Sequence, residues 1–142
     1  MTIGAILSGK GRGVISVTVH QSVGDAVAML AEHRIGALLV MDETNVAGIF
    51  SERDVIRGAA EQGPAVLDRK VGDIMTAPAI TVEPGEPVIG ALSLMTKRRV
   101  RHLPVIEGGQ VLGIVSIGDL VKYRIDRIEA DAEAMRAYIQ SA

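Results

Sequence analysis

A serine followed three residues later by an aspartate can do two kinds of chemistry. At a helix start the serine oxygen accepts from a backbone N–H and the acid favours the positive helix end, each worth on the order of 1 kcal/mol. The same helix start is also a ready site for anions and hydroxyls. A carboxylate there can accept both vicinal hydroxyls of a ribose. This chain carries the pattern twice, as Gly48-Ile49-Phe50-Ser51-Glu52-Arg53-Asp54 and Gly113-Ile114-Val115-Ser116-Ile117-Gly118-Asp119. Each run lies where an apolar strand gives way to a helix. A glycine in that strand would let a flat ligand approach the backbone. For a single copy, helix capping is the simpler account; two copies at equivalent places favour a ligand.

Other chemistries fare worse. The chain has no cysteine, so a disulfide framework, a thiol nucleophile and a Cys-ligated metal are excluded. His20, His33 and His102 are scattered without metal-ligand spacing, so no metal site is expected. Glu52 and Asp54 have no evident partner for a catalytic dyad. No nucleophile, base and orienter assemble, so a binding module is expected rather than an enzyme, with no catalytic residues. Lys97-Arg98-Arg99-Val100-Arg101-His102 is the basic cluster. Its first residues fit the C-terminus of a helix, and Arg101 and His102 are the better candidates for phosphate. A net charge of -2 and only 2% aromatics argue against a nucleic-acid surface. Gly9-Lys10-Gly11-Arg12-Gly13 lacks the spacing of a phosphate loop and reads as a flexible lead-in, with Lys10 a candidate near a ligand phosphate. Hydrophobic content is 48% and mean hydropathy +0.30, yet no apolar run reaches the ~20 residues of a membrane helix. The N-terminal order of apolar then basic residues is wrong for a secretory signal. A cytoplasmic, aliphatic-rich α/β protein is expected, with no membrane partner.

The elements that would position these residues come from an internal repeat at an offset of 65. Val23–Asp54 aligns without gaps on Val88–Asp119, with 10 of 32 positions identical. Each copy begins with a short apolar strand (14–19; 79–82). A helix follows, with one apolar face formed by Val23, Ala26, Val27 and Leu30, or by Val88, Ala91, Leu92 and Met95. Ser22 is its N-cap in the first copy, and Pro87 fits the first turn in the second. Two strands joined by turn residues come next (37–41 and 46–50; 103–106 and 111–115), read as hairpins. A second helix starts after Ser51 and after Ser116. The unit is β-α-β-β-α, twice, in the α/β (α+β) class. Residues 58–70 read as a polar bridge. The division expected is 1–65, 66–125 and a C-terminal helix 126–142. That helix, from about Ile117 to Gln140, carries Val121, Ile125, Ile128, Ala132, Met135 and Ile139 as a heptad stripe of about two and a half heptads. The stripe fits either packing on its own domain or self-association.

A duplicated β-α-β-β-α unit ending in this motif resembles a tandem pair of CBS (cystathionine-β-synthase) domains, of the small stand-alone type. The lead-in Val71-Gly72-Asp73-Ile74-Met75-Thr76 and the strand entry Arg99-Val100-Arg101-His102-Leu103-Pro104-Val105 carry the same resemblance. It implies a pseudo-twofold pair with two clefts that take adenosine-containing ligands: AMP, ADP, ATP, NAD(H) or S-adenosylmethionine. Asp54 and Asp119 would hold ribose hydroxyls, with Ser51 and Ser116 near ribose or phosphate. Ile15 and Ile80 would meet the base, Ile35-Gly36-Ala37 and Val100-Arg101-His102 would line the strand entries, and Thr76 would border a cleft. Arg53, Arg101 and His102 would supply the phosphate cations, unequally between copies. The function implied is a nucleotide sensor, a homodimer that signals to an effector protein by changing conformation. The alternative is an interaction scaffold with no nucleotide.

Overall fold

The computed structural model describes residues 1–11 and 13–141. Its elements run α1 (Ile3–Lys10), β1 (Ser16–Thr18), α2 (Val23–His33), β2 (Ala37–Asp42), β3 (Asn45–Ser51), α3 (Glu52–Gln62), a 3₁₀ turn (Gly63–Asp68), α4 (Val71–Ile74), α5 (Val88–Arg98), β4 (His102–Glu107), β5 (Gln110–Ser116) and α6 (Ile117–Ser141). They gather into two compact units, Gly13–Thr81 and Met1–Arg12 with Val82–Ala142. These units do not follow the division at 65/66 drawn from the repeat. Each takes the lead-in that precedes the other repeat.

In Gly13–Thr81, β1 pairs parallel with β2, and β2 pairs antiparallel with β3. The core is Val17, Val23, Ala26, Leu30, Leu38, Val40, Phe50, Val66 and Val71. The apolar face read on α2 is the buried one, and Ser22 caps it by accepting from the Asp25 N–H at 3.0 Å. The polar bridge expected at 58–70 is a correction. α3 continues to Gln62, and the 3₁₀ turn that follows buries Val66. One buried valine ties that segment to the core despite its polar composition.

The second unit repeats the first at the level of local geometry. β4 pairs antiparallel with β5, and its register slips between Val105 and Ile106 as β2 slips between Val40 and Met41, 65 positions earlier. Both first helices end on an arginine in the left-handed region, Arg34 and Arg99, each at φ 53°. Each hairpin turns on two residues. In the second these are Gly108 and Gly109, both at positive φ, which a tight two-residue turn requires. The strand expected at 79–82 does not form. Val82 alone bridges Val105, donating to the Pro104 carbonyl at 3.0 Å while its own carbonyl accepts from the Ile106 N–H at 2.9 Å. Of the run Gly9–Gly13 expected as a flexible lead-in, Gly9 and Lys10 end α1, a helix that buries Ile3, Ile6 and Leu7, and Arg12 lies outside the described residues.

Candidate functional site

Ser51 closes β3 and caps α3. Its backbone N–H donates to Asp54 Oδ2 at 2.9 Å, and its side chain accepts from the backbone of Asp54, completing a capping box. The Ser51 hydroxyl also lies 3.3 Å from Oδ2. The other carboxylate oxygen, Oδ1, accepts from the Thr76 hydroxyl at 2.8 Å and from Arg57 Nη1 at 3.3 Å. Asp54 is 1% exposed, and its carboxylate receives donors on both oxygens. Thr76 is brought there by a two-bond bridge: Ile49 N–H donates to the Thr76 carbonyl at 3.0 Å and Thr76 N–H to the Ile49 carbonyl at 2.9 Å. Gly48 makes the bridge possible. A Cβ built on it would stand 2.5 Å from the Thr76 carbonyl oxygen and 3.1 Å from Met75 Sδ. The close approach expected of a ligand at this glycine is made by the chain's own lead-in, because the backbone there has room for only one neighbour.

The second cap has the same box with different occupants. Ser116 N–H donates to Asp119 Oδ2 at 2.8 Å, and Asp119 N–H donates to Ser116 Oγ at 3.1 Å. Where Asp54 has Thr76, Asp119 has Lys10, whose Nζ lies 2.6 Å from Oδ2 and 2.9 Å from the Ile114 carbonyl oxygen. Lys10 ends α1, which packs Leu7 where a Cβ on Gly113 would fall. The Asp119 side chain is 26% exposed. Partial burial pushes its carboxyl up, but the Lys10 ammonium and the Ser116 donors outweigh that and hold it below its ordinary value.

Strand pairing sets the remaining candidates around these caps. Ala37 lies opposite Ser51, and His102 opposite Ser116. The Gly36 carbonyl accepts from Glu52 N–H at 3.2 Å, and the Arg101 carbonyl from Ile117 N–H at 2.8 Å, so the 36–37 and 101–102 segments sit at the first turns of α3 and α6. Ile35 and Val100 close α2 and α5, donating to Leu30 and Met95 carbonyls at 3.1 Å each. Arg53 lies in the first turn of α3. Ile15 is further off: its carbonyl accepts from Leu39 N–H, in mid-β2. Ile80 is half-buried in the connector after Thr76. A groove of about 500 Å³ between α2 and α3 is lined by Ile35 and Gly36 with Leu30, Val55 and Ile56, but by neither Ser51 nor Asp54. Arg57 lies outside the Ser-x-x-Asp motif, and its one signal in the sequence is its place three residues after Asp54 on one helix, the spacing of an ion pair. Among the described residues, no three His, Cys, Asp or Glu side chains gather as a metal set.

The CBS domain family model matches residues 11–61 and 71–126. The chain is 38% identical over 148 residues to the mitochondrial CBS domain-containing protein CBSX3 of Arabidopsis thaliana, covering 98% of this chain and 72% of that one. A CBS-domain-containing protein from Agrobacterium tumefaciens superposes with a TM-score of 0.85 at 39% identity, over 87% of this chain and 99% of that one. The CBS domain pair of protein MJ0100, solved in complex with 5′-methylthioadenosine and S-adenosyl-L-methionine, superposes with a TM-score of 0.78 at 25% identity, over 89% of this chain and 98% of that one. Two matched domains, a shared fold and the twice-repeated Ser-x-x-Asp cap agree: the chain belongs to the CBS-domain family, as a tandem pair.

Proposed function

We propose that this protein is a cytoplasmic regulatory module without catalysis of its own. It binds an adenosine-containing ligand (AMP, ADP, ATP, NAD(H) or S-adenosylmethionine) and signals to an effector protein. The ribose hydroxyls go to Asp54 and Asp119, and Lys10, Arg53, Arg101 and His102 face the phosphates. The observation that carries this reading is the hydroxyl already on Asp54. Thr76 Oγ1 donates to Oδ1 at 2.8 Å, the same bond a ribose hydroxyl would make. The adenosine compounds bound by the related MJ0100 pair support the ligand class.

The same bond gives the ligand a way to change conformation. A ligand shifts an equilibrium only through differential contacts. A ribose hydroxyl on Asp54 competes with Thr76, the residue that pins the lead-in to β3. A ribose at Asp119 competes with Lys10, at the end of α1. Binding therefore loosens one lead-in segment or the other, and the effector reads that change. Asp119, the more exposed carboxylate, is engaged first.

Thermal unfolding against the six adenosine ligands tests this. Ligand at a hundredfold over its Kd adds about 2.7 kcal/mol. A shift with one ligand that is lost in Asp119→Asn fixes ligand and site together. No shift with any of the six rejects the reading in favour of a scaffold.

A further inference from the structure

α6 is 25 residues long, about 37 Å at 1.5 Å per residue. Leu120 is buried, and Tyr123 is half-buried with its hydroxyl against Met1 Sδ. Every described residue from 124 onward is exposed. This outer stretch gains no packing from the rest of the chain. Isolated helices of that length are marginal in water, and the pairs Arg127–Asp131 and Arg136–Glu133 add only a few tenths of a kcal/mol each. Yet it presents one continuous apolar seam. Val121, Ile125, Ile128, Met135 and Ile139 are 42–65% exposed, and Ala132 completes the heptad between them.

The charges beside the seam say what covers it. With Ile125, Ala132 and Ile139 at a and Val121, Ile128 and Met135 at d, the g positions hold Arg124 and Asp131, and the e positions hold Lys122, Glu129 and Arg136. In a parallel, in-register pair each g side chain meets the e side chain five residues on in the partner. Those encounters are Arg124 with Glu129 and Asp131 with Arg136, both attractive and both formed twice. An antiparallel pair with full overlap instead sets Asp131 on Asp131, Glu129 on Glu129 and Lys122 on Arg136. Sliding it by one heptad restores opposite charges but leaves Met135 and Ile139 outside the seam. A lipid surface fits poorly, because four acids match four bases along 122–141.

We propose that α6 is a parallel coiled-coil dimerisation element whose occupant is α6 of a second copy of this chain. Sedimentation equilibrium of the full chain is expected to give twice 15.0 kDa, falling toward one chain on dilution. Ile128→Asp, at an exposed position, is expected to yield monomer, with any loss of helical circular dichroism no larger than the outer stretch of α6 accounts for and the cooperative unfolding of the rest of the chain retained. Arg124→Glu turns two attractions into repulsions and is expected to weaken the dimer about tenfold; the double variant Arg124→Glu/Glu129→Arg restores it only in the parallel register. The chain has no cysteine, so Ile139→Cys places a single thiol that oxidises to a covalent dimer only when the two helix ends lie side by side. A monomer at every concentration, or a dimer indifferent to Ile128→Asp, overturns the proposal. A dimer that the double variant fails to restore, or that Cys at 139 fails to crosslink, overturns the parallel orientation.

Discussion

Asp54 and Asp119 occupy the same position of the repeat and cap equivalent helices, yet their removal should cost different amounts. Asp54→Ala removes an acceptor that serves the Ser51 N–H and the Thr76 hydroxyl at a site only 1% exposed. A buried donor left without a partner costs about 1–3 kcal/mol. The Ser51 N–H is such a donor, whereas the hydroxyl of exposed Thr76 can turn to water; with about 1 kcal/mol for the lost cap, the loss is about 2–4 kcal/mol. Asp119→Ala removes a carboxylate that is 26% exposed, where water can replace the protein as partner. The Lys10 pair, with a half-exposed ammonium, is of the kind worth about 0–1 kcal/mol. With about 1 kcal/mol for the cap, the whole loss is about 1–2 kcal/mol. Urea unfolding followed by circular dichroism reads both differences directly. In Tm the two variants should fall by about 10 °C and about 3–5 °C for a chain of this size. Thr76→Val, which removes one donor and keeps the volume, should lie between wild type and Asp54→Ala. Equal losses at the two aspartates, or a larger loss at Asp119, would refute the argument that burial and donor saturation distinguish the two caps.

Gly48→Ala should destabilise by about 1–3 kcal/mol, since the new methyl meets backbone, the Thr76 carbonyl, which cannot move without breaking its bridge to Ile49. Gly113→Ala should cost less, because its methyl meets the far end of the Leu7 side chain at 2.8 Å, and Leu7 can change rotamer. Urea midpoints of the two variants check the order, and the reverse order would remove the lead-in contact as the reason for these glycines. The lowered carboxyl of Asp119 contributes stability that is fully present above its unfolded value of about 3.9 and is lost as pH falls through its folded value. Lys10→Met should therefore be less stable than wild type at pH 7, and the gap should shrink below about pH 4. A gap that persists at pH 3 would assign the effect of Lys10 to packing of its stem.

What was legible in the chain follows from what kind of interaction set each feature. The hairpins, the apolar faces of α2 and α5 and both Ser-x-x-Asp caps rest on short-range patterning, and the 65-residue offset doubled every such signal. The two capping boxes form as their spacing requires. The lead-ins were another matter. α1 reads Ile-Gly-Ala-Ile-Leu-Ser-Gly-Lys, almost uniformly apolar with two glycines, so it offers neither a helical period nor strong propensity. Its helix is stabilised by burying Ile3, Ile6 and Leu7, with Leu7 set against Gly113 more than a hundred positions away. The same distance hid the Lys10–Asp119 pair. In the first copy, Thr76 reaches Asp54 across 22 positions through a bridge that only Gly48 permits. These long-range contacts bear most directly on function. Each lead-in delivers a donor to the carboxylate of a cap, a hydroxyl in one unit and an ammonium in the other. A local motif thus positions the acid, while the chain's return from elsewhere decides what occupies it. A ligand that competes for either acid must compete with a lead-in. The Asp119 site should yield first, because its competing cation is half-exposed and can leave the carboxylate for a phosphate without becoming buried and unpaired.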